Sequence, residues 1–179
     1  ERHLCFAPQE RLYRHGAWQE GLLPQIGVSP GDRAQYQRFF QLIADLKQRR
    51  GRDGRHAFVL PMALSSTDEN VLAHDRISMK EFLLRQGLDS APLHWYVNYA
   101  CRDDYGSDYS VVSAWAGLHY FAARDGHAQD AESGQVLTWP EGNGWLVKRL
   151  HDRFPGGRVE SGALAHRIEE SRDGIAVDV

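Results

Sequence analysis

Residues 136–179 read VLTWPEGNGWLVKRLHDRFPGGRVESGALAHRIEESRDGIAVDV, and they set out a strand, a glycine turn, a helix and a hairpin in that order. Residues 136–139 are rich in strand formers, and Pro140 with Gly142-Asn143-Gly144 interrupts them. Trp145, Leu146, Leu150 and Phe154 then recur at helical spacing until Pro155-Gly156-Gly157 stops the run. Two short strands are expected over 159–168 and 175–179. They are joined across Ser171-Arg172-Asp173-Gly174, where the glycine can adopt the positive φ of a hairpin turn.

That order, with those residues, resembles the stretch in which the substrate domain of flavin-dependent amine oxidases and related FAD-dependent oxidoreductases returns to the FAD domain. In that family a T/F-x-x-G-x-G-type loop opens a helix, and a strand then runs along the cofactor. The matching residues are Thr138, Trp139, Pro140, Glu141, Gly142, Asn143 and Gly144 for the loop, and Val159, Ala165 and Ile168 for the strand. Upstream, ISMKEFL at 77–83 resembles the helix start after the family's substrate-domain linker, and 115–120 resembles one of its pocket helices. The resemblance implies that Trp139, Pro140, Glu141, Gly142, Asn143, Gly144 and Ala165 border FAD, with Ala165 presenting main-chain groups to its adenine end.

Two parts of the family pattern are missing. No G-x-G-x-x-G follows a first strand, so nothing seats a pyrophosphate on a helix N-terminus. Gly142-x-Gly144 opens a helix, but Val147 holds the third glycine position. The C-terminal flavin segment is also absent. The expectation is therefore a piece of a longer enzyme. Residues 1–139 would form an α+β substrate-binding domain, helical with a small antiparallel sheet, and 140–179 would return through a loop, helix and hairpin to an FAD domain elsewhere in the same polypeptide. The parent would oxidise a C–N or C–C bond of a small organic substrate by hydride transfer to FAD, and this segment alone would be catalytically silent.

Composition bounds the class without choosing within it. A chain of 179 residues, 42% hydrophobic and 25% charged, is long enough for one substantial core and too ordered in composition for wholesale disorder. A net charge of −3 gives no general attraction for nucleic acid or an anionic membrane. The basic run RRGRDGR at 49–55 is a phosphate-patch motif by composition, yet cations also suit the C-terminus of the helix before it. Cys5 and Cys101 are too far apart for a C-x-x-C site, and each is expected as a buried thiol. No apolar run reaches the length of a membrane span. The nine histidines show no H-E-x-x-H spacing and the serines no G-x-S-x-G, so neither a metal site nor a serine hydrolase is indicated.

Elsewhere, residues 4–6, 11–13 and 17–23 read as an antiparallel meander. Ser29-Pro30-Gly31-Asp32 caps an amphipathic helix over 32–50 carrying Tyr36, Phe39, Phe40, Ile43 and Leu46. Ser78 and Glu81 form a capping-box pair before a helix reaching Gly87, a second helix follows Pro92, and a third, nearly without a polar face, covers 109–124. A flavin enzyme leaves electron chemistry to its cofactor, so its substrate domain needs an aromatic pocket with a few polar groups rather than a triad. Trp95 with Tyr99, and Trp115 with His119, are four apart on their helices. Together with Tyr120 they are the candidate pocket, with Arg102, Asp103 and Asp104 in the loop at its mouth. Core packing and turn formation satisfy the same spacings. The rival function from another class is a non-enzymatic module whose aromatic pocket holds a small apolar ligand.

Overall fold

A computed structural model of the chain describes residues 4–6, 10–124, 135–154 and 159–179. These divide into two compact units, Pro8–Asp130 and a second made of Glu1–Ala7 with Ala131–Val179.

In the first unit, strands β2 (Arg11–Arg14) and β3 (Ala17–Glu20) form a tight hairpin, and helices α1 (Pro30–Gln48), α2 (Glu69–Leu72), α3 (Met79–Arg85), α4 (Ala91–Tyr105) and α5 (Ala114–Ala122) follow. The start of α1 is fixed by a reciprocal cap. The Ser29 hydroxyl accepts from the Asp32 N–H at 3.1 Å, while the Ser29 N–H donates to the Asp32 carboxylate at 2.8 Å. Its apolar stripe, Tyr36, Phe39, Ile43 and Leu46, is buried. Against that stripe lie Leu93, Val97 and Cys101 of α4, Leu118 and Ala122 of α5, and Met79, Phe82 and Leu83 of α3. Each fully buried side chain of this size contributes about 1.5–3 kcal/mol, so four helix faces converging on one cluster account for the unit's cohesion.

Two caps side by side register α3 against α5. Ser78 and Ser113 form an isolated antiparallel bridge, the Met79 N–H donates to Val112 O at 2.9 Å, and the Ala114 N–H donates to Ile77 O at 2.8 Å. The helices then approach so closely that a Cβ on Gly117 would lie 2.7 Å from Met79 Cγ. Only glycine fits there.

The basic run at 49–55 folds as a tight turn after α1. Arg50 donates to Gly54 O at 2.7 Å, and the carboxylate of Asp53 accepts from the Ser66 hydroxyl and the Thr67 N–H, both at 2.8 Å. These bonds hold the Asp53 carboxyl below its usual range, the Thr67 N–H contributing most.

The second unit pairs β1 (Leu4–Phe6) antiparallel with β4 (Gln135–Leu137), continues into α6 (Gly144–His151), and ends in the hairpin of β5 (Arg167–Ser171) and β6 (Gly174–Asp178). The α+β character expected from the sequence is present, as helices with three two-stranded antiparallel sheets. Three details differ from the sequence reading. Residues 4–6 do not join the 11–20 meander; they pair with residues 135–137, a partnership between distant segments that no local pattern encodes. The strand expected over 159–168 begins only at Arg167, which faces Asp178 of β6, and Val159 and Ala165 lie outside it. Arg102, Asp103 and Asp104 are in the last turn of α4 rather than in a loop, with Gly106 at φ 65° closing the helix. Among the described residues no helix is long and apolar enough to cross a membrane.

Candidate functional site

The predicted pocket residues sit on two helices but form separate groups. Trp95 and Tyr99 stack on each other along α4, with ring centroids 5.8 Å apart, and both are exposed. Trp115 and His119 stack along α5 at 5.0 Å and pack against Phe58, whose centroid is 5.6 Å from Trp115. His119 is buried, and its Nε2 lies 3.0 Å from Val59 O, so that nitrogen carries the proton and donates to the carbonyl. The Trp115 Nε1–H is buried without a hydrogen-bond partner.

Tyr120 belongs to a third group. The Arg124 guanidinium lies over its ring at 4.1 Å and pairs with the Asp104 carboxylate. Tyr105 stands beside them, donating to Ala116 O at 2.7 Å, and burial followed by the nearby Asp104 charge pushes its phenol up to about 12. Asp104 thus ties the end of α4 to the end of α5. Arg102 and Asp103 are exposed. The spacing placed each i, i+4 pair on a shared face, as it must, but the rotation of the two helices turns those faces to different surroundings.

Several cavities in this unit were not read from the sequence, and two of them border α4 or α5. One, of about 640 Å³, lies where α1 and α5 end and is lined by Lys47, His56, Phe58, Leu60, Ala123 and Arg124, among others. The other, of about 430 Å³, lies between the β2 strand and the start of α4, and Trp95 is part of its wall. The remaining lining residues are Leu12, Tyr13, Arg14, Pro24, Ala91 and Pro92. A short strand with arginines at both ends, Arg11-Leu12-Tyr13-Arg14, gives no sign that one of them will share a cavity with an aromatic side chain from another element.

In the second unit, Pro140, Glu141, Gly142, Asn143 and Gly144 are exposed, and Trp139 stacks on Trp145 at 4.9 Å with the rings 11° from parallel. Gly142 turns the chain at φ 60°, and a Cβ built on it or on Gly144 would meet nothing within 4 Å. This is an open backbone turn. Arg149 lies over the other ring of the pair, 5.2 Å from the Trp145 centroid. Ala165 is exposed.

Among the described residues no cluster of His, Cys, Asp and Glu has the arrangement of a metal site. Compared with protein-family models, curated proteins and solved structures, the chain has no match.

Proposed function

We propose that this chain is the substrate-binding portion of an FAD-dependent oxidoreductase of the amine-oxidase kind, with the flavin domain supplied by the rest of the polypeptide. The observation that carries the assignment is the turn at 139–144: an open turn with two glycines, Gly142 and Gly144, between a strand and a helix, flanked by stacked indoles, in the order that the sequence resemblance requires. A backbone without Cβ atoms can approach a flat ring closely. A second feature agrees with it. Around α6 and the terminal hairpin, Val147, Leu150, Phe154, Leu164, Ile168, Ile175 and Val179 are all more than half exposed. An isolated hairpin of five-residue strands is marginal in water, so such a surface suits a unit that completes its core against another domain.

The fit to FAD is partial. Residues 139–144 offer one wall, but Asn143 makes no side-chain cap at the start of α6, and no G-x-G-x-x-G cradle exists in the chain. No catalytic step is therefore assigned to residues of this segment. Its part is to bind and position a small organic substrate and to exclude water, while FAD supplies the electron chemistry.

The test is the uninterrupted reading frame. Its product, purified, should be yellow with a near-stoichiometric flavin band, and a G-x-G-x-x-G should lie upstream. The 179-residue chain alone should be colourless. A colourless full product with no such fingerprint would remove the flavin assignment and leave the small-ligand module in its place.

A further inference from the structure

We infer that the cavity between β2 and the start of α4 is a binding site for a small aryl or arylalkyl carboxylate, with Arg14 as its anion anchor and Trp95 as its aromatic wall. The proposal goes beyond the flavin assignment and does not rest on it.

The first ground is an unsatisfied cation. Arg14 lines the cavity, and its Nη1 is buried with no hydrogen-bond partner. Nη1 itself is closed off from the cavity, but among the described residues the Arg14 side chain makes no hydrogen bond or ion pair, and the guanidinium of a half-buried arginine that lines a cavity is open to an acceptor there. The neighbouring charged groups do not fill that role. Asp32 is near enough to feel the Arg14 charge, but its carboxyl is held low chiefly by its bonds to Ser90 and Ser29: Oδ1 accepts from the Ser90 hydroxyl at 2.6 Å and Oδ2 from Ser29 Oγ and N at 2.7 and 2.8 Å. Arg33, one turn into α1, is engaged with the Gln25 side chain at 2.9 Å and its carbonyl at 3.3 Å.

The second ground is the wall. Apart from Arg14, the lining is Leu12, Tyr13, Pro24, Ala91, Pro92 and Trp95, with no carboxylate among them. Trp95 stacks on Tyr99, and Tyr13 contacts Trp18 at 5.1 Å with the rings tilted by 50°. A volume of about 430 Å³ is in the range of pockets that take small organic molecules. Inorganic anions would satisfy the guanidinium but leave the apolar wall wet. A carboxylate on an aromatic body satisfies both, and a planar guanidinium matches a carboxylate better than an ammonium does.

The experiment is calorimetric titration of the 179-residue chain with phenylacetate and, separately, with the isosteric neutral phenylacetamide and with sulfate. Phenylacetate should bind at least tenfold more tightly than phenylacetamide, the loss expected when a charge-assisted hydrogen bond becomes neutral, and sulfate more weakly than phenylacetate. Arg14→Gln should abolish the preference for acid over amide, Arg14→Lys should keep only part of it, and Trp95→Ala should weaken acid and amide alike. Circular dichroism checks that each variant is folded, and the acid-against-amide comparison on the unaltered chain needs no variant. Equal affinity for acid and amide, sulfate binding as tightly as phenylacetate, no phenylacetate binding at millimolar concentration, or an unchanged preference in folded Arg14→Gln would each overturn the proposal. None of these outcomes bears on flavin content, which is read from the full reading frame.

Discussion

Replacing Gly117 by alanine sets two effects of opposite sign against each other. Gly117 is inside α5, where alanine is favoured over glycine by about 0.8–1.0 kcal/mol through backbone entropy alone. Against this, the new methyl would lie 2.7 Å from Met79 Cγ, 2.8 Å from Sδ and 3.1 Å from Cβ. Met79 has no exposed surface, so its flexible side chain has nowhere to swing without displacing other core groups. Overpacking of that kind costs about 1–3 kcal/mol. The steric term should win, for a net loss of about 1 kcal/mol. With a urea m-value of about 1–3 kcal/mol/M, the midpoint followed by near-ultraviolet circular dichroism should fall by roughly 0.5 M. A double-mutant cycle sharpens the test. Met79→Ala alone should cost about 2–5 kcal/mol by leaving a void. In the double variant the two alanines relieve each other, giving a favourable coupling of about 1 kcal/mol or more. A Gly117→Ala chain that gains the full helix-propensity increment, together with an additive cycle, would refute the close approach of α3 and α5.

Other consequences follow from the same structure. Hydrogen bonds hold the carboxyls of Asp32, Asp53, Asp68 and Asp108 below their usual range. Their stabilisation is therefore fully present above the unfolded carboxyl pKa and is lost as pH falls through the folded values, so unfolding free energy should drop below about pH 4. Asp53→Asn should flatten part of that acid limb, and an identical slope in the variant would show that the Asp53 network is not formed. The Cys101 thiol is fully buried and pushed up to about 12, chiefly by desolvation, so peptide mapping after iodoacetamide at pH 8 should find it unmodified in the native chain and alkylated after denaturation. Native-state alkylation of Cys101 would contradict the packing of α4. In hydrogen exchange, amides of β5 and β6 should exchange far faster than those of α1, since every side chain described in that hairpin is exposed. Comparable protection would mean that the hairpin has a cover. On the flavin assignment proposed above, Ala165→Trp in the product of the full reading frame should lower flavin occupancy, and an unchanged flavin-to-protein absorbance ratio would remove Ala165 from the cofactor's neighbourhood.

Local chemistry is what the sequence by itself determined. The Ser29–Asp32 capping box, the stripe from Tyr36 to Leu46, the buried character of 114–122 and the strand, turn, helix and hairpin order of 135–178 are all set by residues within a few positions of one another. Backbone hydrogen bonding, propensity and side-chain periodicity act over that range, so these features stand in the chain as written. Tertiary structure alone decided three further things. It paired residues 4–6 with 135–137, a contact between distant segments. It set the start of the strand expected over 159–168 at Arg167, opposite Asp178. It also turned the Trp95–Tyr99 face and the Trp115–His119 face to different neighbours. An i, i+4 spacing fixes which residues share a helix face but not the direction of that face, which depends on how the helices rotate to bury Val97, Cys101, Leu118 and Ala122. For the same reason Arg14 could not be read as a site residue. Its chemistry lies in facing Trp95 across a cavity, and 81 positions of chain separate them only until the core brings β2 and α4 together.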